Sequence, residues 1–365
     1  MMIWRSLPLP KYLLLLAPVA LILHFGDLSG AVSQFCIAGL SILGLVVVIG
    51  TATEEVAMRL GAVWGGLLNA TFGNVTELII ALLAVNRGAY TVVRASLTGS
   101  ILGNLLLLLG LAMFAGGIRY KSQHFSRTGA SASVQMLAVS LFALVIPSVA
   151  HMVFDASHKL SASALDGRVE HLSLAISILL LIVYGLHLVF SLYTHRFTYR
   201  SDEGAHAKPK WTMRTAVIVL LLTVVLVALC SDVFVASLDT MVRTSHLPVS
   251  EMFLGVVVVA IVGNAAEGSV AIVAAVKNKM ELAFQVAMSS ALQIALLVAP
   301  LLVIVSFIFA DQPMTLAFTP FELLAIWAGV LISAFSLQDG ESNWFEGAMM
   351  VVVYLAFAIV FWFHP

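Results

Sequence analysis

The chain is poor in charge and nearly devoid of cysteine. Of its 365 residues only 10% are charged, the formal net charge is −1, and the cysteines number two. Cys36 and Cys230 both lie in or beside apolar stretches, which excludes a disulfide framework and a cysteine-rich metal site. With 18 basic against 19 acidic residues, there is no large basic surface for nucleic acid. The ten histidines are scattered, mostly through loops, and read as ordinary loop or packing residues. Catalytic signatures are missing too: no HExxH, no GxSxG and no Cys/His pair suited to hydrolysis occurs. Nothing points to an enzyme or to a bound cofactor.

What the chain has in abundance is hydrocarbon. It is 61% hydrophobic, with a mean hydropathy of +1.06, which no ordinary soluble domain of this length sustains. Apolar runs of about 18 residues or more read as membrane helices, and about eleven are present. They lie at 12–27, 34–51, 63–86, 92–115, 132–152, 170–192, 214–236, 251–275, 282–308, 317–337 and 345–363. No soluble domain fits between them, so the expected partners are the lipid bilayer and small ions. A homo-oligomer is left open.

Lysines and arginines orient the chain. With the N-terminus cytoplasmic, residues such as Arg119, Lys121, Arg127, Lys210, Arg214, Lys277 and Lys279 fall inside. Arg87, Arg94, Lys159, Arg168 and Arg243 fall outside. The start, MMIWRSLPLPKYLLLLAPVALIL, looks like a signal peptide, and we read it as an uncleaved first helix. The absence of an organelle-targeting signal and the compact loops place the chain in a bacterial plasma membrane.

Two segments repeat each other about 190 residues apart: GNVTELIIALLAV from Gly73 and GNAAEGSVAIVAAV from Gly263. Aligned without a gap, Asn74 and Glu77 face Asn264 and Glu267, Arg87 faces Lys277, and Ser100 faces Ser290. Five helices separate the two copies, and an odd number inverts the second. The expected fold is therefore an all-α membrane protein of two inverted five-helix repeats plus an extra N-terminal helix. Its parts are 1–30 (the extra helix), 31–192 (first repeat), 193–213 (a cytoplasmic linker) and 214–365 (second repeat). Transporters built this way bind substrate near the midplane between the repeats. Each glutamate sits about fifteen residues into its helix, roughly 22 Å from the end of a core about 30 Å thick.

A carboxylate at membrane depth is costly and is a functional residue by default. Gly73 and Gly263 precede the two glutamates with an asparagine, a pairing that permits a helix break and frees carbonyl oxygens where the break lines a cavity. Close packing explains these glycines, Gly99 and Gly103 equally well. The neighbouring helices add Ser100 and Asn104, and Ser290 and Gln293, each pair on one helical face. The two serines suit interhelical hydrogen bonding as well as ligation. Together these groups form an all-oxygen site, which suits a hard cation. Two carboxylates neutralise one divalent ion, which favours Ca²⁺ over Na⁺. Once the metal leaves, two carboxylates in a low-dielectric cavity repel each other and take up protons. Metal and protons then compete, and obligatory exchange follows. Carriage of Na⁺ or Mn²⁺ by the same architecture, and a cation channel, are the rival readings. A channel would favour charge rings from several subunits.

These residues closely resemble the cation/proton exchanger family of the calcium/cation antiporter superfamily. The first signature covers GTATEEVAMRLG, GGLLNATFGNVTELIIALLAV and VVRASLTGSILGNLLLLLG; the second covers IVGNAAEGSVAIVAAVKNKMELAFQVAMSSALQIALLVAP. The tail from Asp339 is similar as well. The resemblance implies eleven helices, Ca²⁺ moved against protons, and coordination by Glu77 and Glu267 with Asn74 and Asn264 beside them. Ser100, Asn104, Ser290 and Gln293 match polar positions of the neighbouring helices. Glu54, Glu55 and Asp232 match acidic positions near the ion path, although a solvated helix end accounts equally for the first two. Gly268 stands where the family usually carries a histidine, and the linker lacks the usual acidic run. Neither the histidine's role nor regulation through that run is carried over. The family's sodium-exchanging relatives carry serine- and proline-containing motifs in place of Gly-Asn, and their absence here favours protons.

Overall fold

The structure is a computed structural model that describes residues 11–156, 161–194, 209–244, 249–310 and 312–363. The first ten residues and most of the 193–213 linker lie outside this set. Helix dominates because backbone in hydrocarbon has to satisfy its own hydrogen bonds. Among the described residues, seven helices are long and apolar enough to cross a membrane. Glu251–Gly263 and Ala265–Val276, bent by 61°, supply an eighth crossing as a broken pair. Three shorter apolar helices, Tyr12–Phe25, Val75–Asn86 and Pro320–Ser336, occupy the remaining expected segments.

The same sequence offset relates the elements of the two halves. Val75–Asn86 maps residue for residue onto Ala265–Val276. The continuous helical rod Tyr90–Arg119 maps onto Met280–Phe309. Each rod contains a π-helical stretch, Gly103–Leu108 in one and Ile294–Val298 in the other. Even the turns agree: Gly88 (φ 69°) and Asn278 (φ 61°) are left-handed at matched positions, where glycine and asparagine are the residues that tolerate it. Further upstream, Ala31–Phe72 runs as one helical stretch where two separate helices are expected. A single residue, Gly61 at φ 81°, makes the corner, so no loop is needed.

The two rods form the centre. With Ala31–Gly61 they are the most buried of the long spans, while Ser163–Thr194 and Trp344–Phe363 are the least. The outer helices turn Ile178, Leu186, Leu221, Val352 and Phe363 outward, towards lipid. Helices Leu109–Arg119 and Trp344–Phe363 meet backbone to backbone. A Cβ on Gly347 would lie 2.5 Å from the Gly110 carbonyl oxygen and 2.4 Å from the Phe114 nitrogen. Small residues at such crossings allow the approach that holds membrane helices together. We therefore expect Gly347→Leu to cost about 1–3 kcal/mol or more by overpacking, read as a lower melting temperature in detergent. An unchanged melting temperature would show that the crossing is dispensable.

One non-helical stretch runs deep into the protein. Met314, Leu316 and Phe318 are buried, and their amide N–H groups donate to Ser306 Oγ (2.9 Å), Ser173 Oγ (3.0 Å) and Ser148 Oγ (2.9 Å). Three serines on three helices thus satisfy every second amide of an extended segment. On the opposite face two short strands, Gln123–His124 and Glu341–Ser342, pair antiparallel.

Candidate cation-binding site

Both helices that carry the paired glutamates break where the Gly-Asn motif predicts. Asn74 (φ −103°, ψ 23°) and Asn264 (φ −83°, ψ 12°) leave helical geometry, and new helices start at Val75 and Ala265. Glu77 and Glu267 consequently sit in the first turn of their half-helices. The exposed N–H groups and dipole of a helix start favour negative charge at that position. Both carboxylates therefore sit at the positive end of a helix, Glu77 buried and Glu267 half-buried.

The polar side chains singled out by sequence meet in one hydrogen-bonded chain. Asn74 Nδ2 donates to Gln293 Oε1, and Ser290 Oγ donates to Asn74 Oδ1 at 2.9 Å. Asn104 Nδ2 donates to Ser290 Oγ (2.9 Å) and to Asn264 Oδ1 (2.8 Å). Asn264 Nδ2 closes the chain on Ser100 Oγ at 3.0 Å and on the Ala260 carbonyl at 2.8 Å. Each asparagine of one half is thus held by the rod of the other half. Asn104 lies within the π-helical stretch, a geometry frequent at functional sites because it shifts the backbone hydrogen bonds.

Glu77 reaches across the same boundary. A Cβ on Gly263 would fall 2.8 Å from Glu77 Cγ and 3.2 Å from its Oε1, so this carboxyl lies against the backbone of the second motif. Four buried oxygens in this region accept no hydrogen bond: Glu77 Oε1 and Oε2, Glu267 Oε2 and Asn104 Oδ1. Buried acceptors are normally satisfied, and a group of orphans calls for an explanation. Carboxylate and amide oxygens of this kind are the ligands that a hard cation takes. Among the described residues no cluster of three or more His, Cys, Asp or Glu side chains occurs; the polar groups gathered here are carboxylate, amide and hydroxyl.

The three acidic residues matched to the ion path are placed differently. Glu54 is exposed near the Gly61 corner. Glu55 is buried, and its carboxylate accepts from the backbone nitrogens of Lys210 (2.9 Å) and Trp211 (2.9 Å), anchoring the chain ahead of the 213–244 helix. Asp232 Oδ1 pairs with Arg87 at 2.7 Å. None of the three joins the hydrogen-bonded chain.

Sequence reasoning passed over Glu322. It is fully buried, takes 2.7 Å from the Thr319 nitrogen in a capping box, and accepts from Thr98 Oγ1 at 3.3 Å. The signal was available, since Glu322 is a lone acid in the apolar segment 317–337. Its place three residues after a threonine disguises it as a helix cap.

Comparison with known proteins places this arrangement. The sodium/calcium exchanger protein family matches residues 30–193 and 215–363. A Ca(2+)/H(+) antiporter of Aphanothece halophytica is 40% identical, over 97% of this chain and 96% of that protein. The Ca(2+)/H(+) antiporter ChaA of Bacillus subtilis is 42% identical, over 90% and 91%. The solved structure of native YfkE aligns at 37% identity with a TM-score of 0.79, covering 95% of this chain and 97% of that one. The crystal structure of an H+/Ca2+ exchanger, at 15% identity and a TM-score of 0.73, shares the fold. With the repeated motifs, the broken helices and the site between them all in place, the chain belongs to the sodium/calcium exchanger protein family.

Proposed function

We propose that this protein is a secondary active antiporter that exchanges Ca²⁺ for protons by alternating access. Glu77 and Glu267 take either the cation or protons, and Asn74, Asn264, Ser100, Asn104, Ser290 and Gln293 shape the site around them. The observation that carries the reading is the group of four buried oxygens with no donor. Two carboxylates neutralise one Ca²⁺, and an emptied pair becomes acceptable in a low-dielectric cavity only when protonated. The relatives that match nearly the whole chain bear the same name of activity. In this reading the halves 31–192 and 214–365 are inverted repeats, with the N-terminus cytoplasmic in a bacterial plasma membrane.

The test is flux in everted vesicles carrying an imposed proton gradient. Added Ca²⁺ is expected to release protons from the lumen at a rate that saturates with Ca²⁺. Because both ligands compete for the same oxygens, acidifying the Ca²⁺ side raises the Ca²⁺ concentration for half-maximal rate and leaves the maximum nearly unchanged. Conduction of Ca²⁺ that continues with no proton movement would instead identify a channel. Parallel additions of Na⁺, Mg²⁺ and Mn²⁺ rank the substrates.

A further inference from the structure

The exchange site does not use Arg87 or Asp232, yet the two join a half-helix of the site to a helix of the other half. Arg87, which ends Val75–Asn86, donates from Nη2 to Asp232 Oδ1 at 2.7 Å and from Nη1 to the Asp232 carbonyl oxygen at 3.0 Å. Two prongs on one residue give this ion pair a defined geometry. Asp232 belongs to Met213–Thr244, and Val75–Asn86 packs along that helix. At the repeat offset of the Gly-Asn motifs, Arg87 corresponds to Lys277.

Asp232 has a counterpart too, at a different offset. Thr53-Glu54 in Ala31–Phe72 and Ser231-Asp232 in Met213–Thr244 each set an acid after a hydroxyl. Both hydroxyls are buried, and neither Thr53 Oγ1 nor Ser231 Oγ has a hydrogen-bond partner. Each acid is the more exposed residue between buried neighbours, Thr53 and Glu55 in one helix, Ser231 and Val233 in the other. Glu54 thus matches Asp232 as Lys277 matches Arg87. This second set is apart: Glu54 is exposed, and among the described residues neither Glu54 nor Lys277 makes an ion pair. Packing of the half-helices follows the pairs. Ile80 is 2% exposed and its repeat partner Val270 is 48% exposed, while Thr76 is buried and its partner Ala266 half-buried.

We propose that Arg87–Asp232 at the outer face and Lys277–Glu54 at the inner face are alternating latches: each end state makes one and breaks the other, and this structure holds the outer one. The inference rests on the exchanger reading for its orientation. When the inner seam closes, Lys277 meets Glu54 as Arg87 leaves Asp232, so a charge uncovered at one face is matched by one covered at the other. That exchange keeps the two end states close in energy, which alternating access requires. Arg87 and Asp232 are partly exposed, so the latch shifts the balance of states a few-fold rather than by orders of magnitude.

The test is sided labelling in right-side-out and inverted vesicles. In a Cys36→Ser background, where the remaining Cys230 is buried, Thr76→Cys reports on the closed seam and Ala266→Cys on the matched one. Arg87→Gln is expected to raise labelling of Thr76→Cys by a membrane-impermeant maleimide from outside about threefold, and to lower that of Ala266→Cys from inside. Lys277→Gln acts on the other latch and leaves Thr76→Cys as protected as in the parent. Arg87→Asp combined with Asp232→Arg remakes the pair with its signs exchanged and returns both readings towards the parent, a rescue that lost packing does not give. Asp232→Asn supplies the same readout as Arg87→Gln should the latter not fold. Unchanged labelling in both single variants, a swap no better than either, or an equal rise in Lys277→Gln overturns the latches. Labelling does not depend on which ion is carried, so absence of Ca²⁺-driven proton release in the parent would sink the exchange reading separately.

Discussion

Glu77→Gln and Glu267→Gln, each alone, are expected to lower Ca²⁺-driven proton release by about two to three orders of magnitude. Glutamine keeps the shape and one ligating oxygen but removes a charge and the ability to take a proton. Removing one member of a buried charge set costs about 3–5 kcal/mol, and each 1.4 kcal/mol is tenfold. The effect on stability runs the other way. Without Ca²⁺ the parent holds two carboxyls with unsatisfied oxygens, and the glutamine variants hold one. The variants should therefore melt at or above the parent's temperature in chelator, and lose the upward shift that Ca²⁺ gives the parent. If either variant transported at the parent's rate, the two glutamates would not form one site.

Gly263→Ala is expected to be the most damaging of the small substitutions. The new methyl would lie 2.8 Å from Glu77 Cγ and 3.2 Å from Oε1, so the carboxyl has to move. Alanine is about 1 kcal/mol better than glycine in a helix, so the four-residue helix ending at Gly263 gains local stability as the site is lost. The half-saturating Ca²⁺ concentration should rise about tenfold or more, since displacing a charged ligand removes more than 1.4 kcal/mol. Gly103→Ala is the control: its methyl would meet only Asn264 Nδ2, at an ordinary 3.9 Å, and its effect should be small. Equal effects of the two substitutions would argue that the close approach of Glu77 to the second motif is unimportant.

Much of this was legible in the chain. Mean hydropathy required a helical membrane protein, because only helices and closed barrels satisfy backbone in lipid. The matched Gly-Asn motifs located both helix breaks, since one residue tolerant of unusual backbone angles follows another. Spacing of three to four placed Ser100 with Asn104 and Ser290 with Gln293 on single faces, and periodicity is a local property. Glu55 and Asp232 were less readable. Resemblance put them near an ion path, but the groups that occupy them, the Lys210 and Trp211 amides and Arg87, come from residues more than 140 positions away.

Composition and repeat, then, settled by themselves that the chain lives in a membrane, in two related halves with an acid in each, because burial in hydrocarbon penalises every polar residue that lacks a purpose. Which oxygens stay unpaired and which asparagine is held by which rod were decided only by the tertiary structure. Those outcomes depend on distances between residues far apart in sequence, and a period along one helix carries no information about the neighbour across the interface.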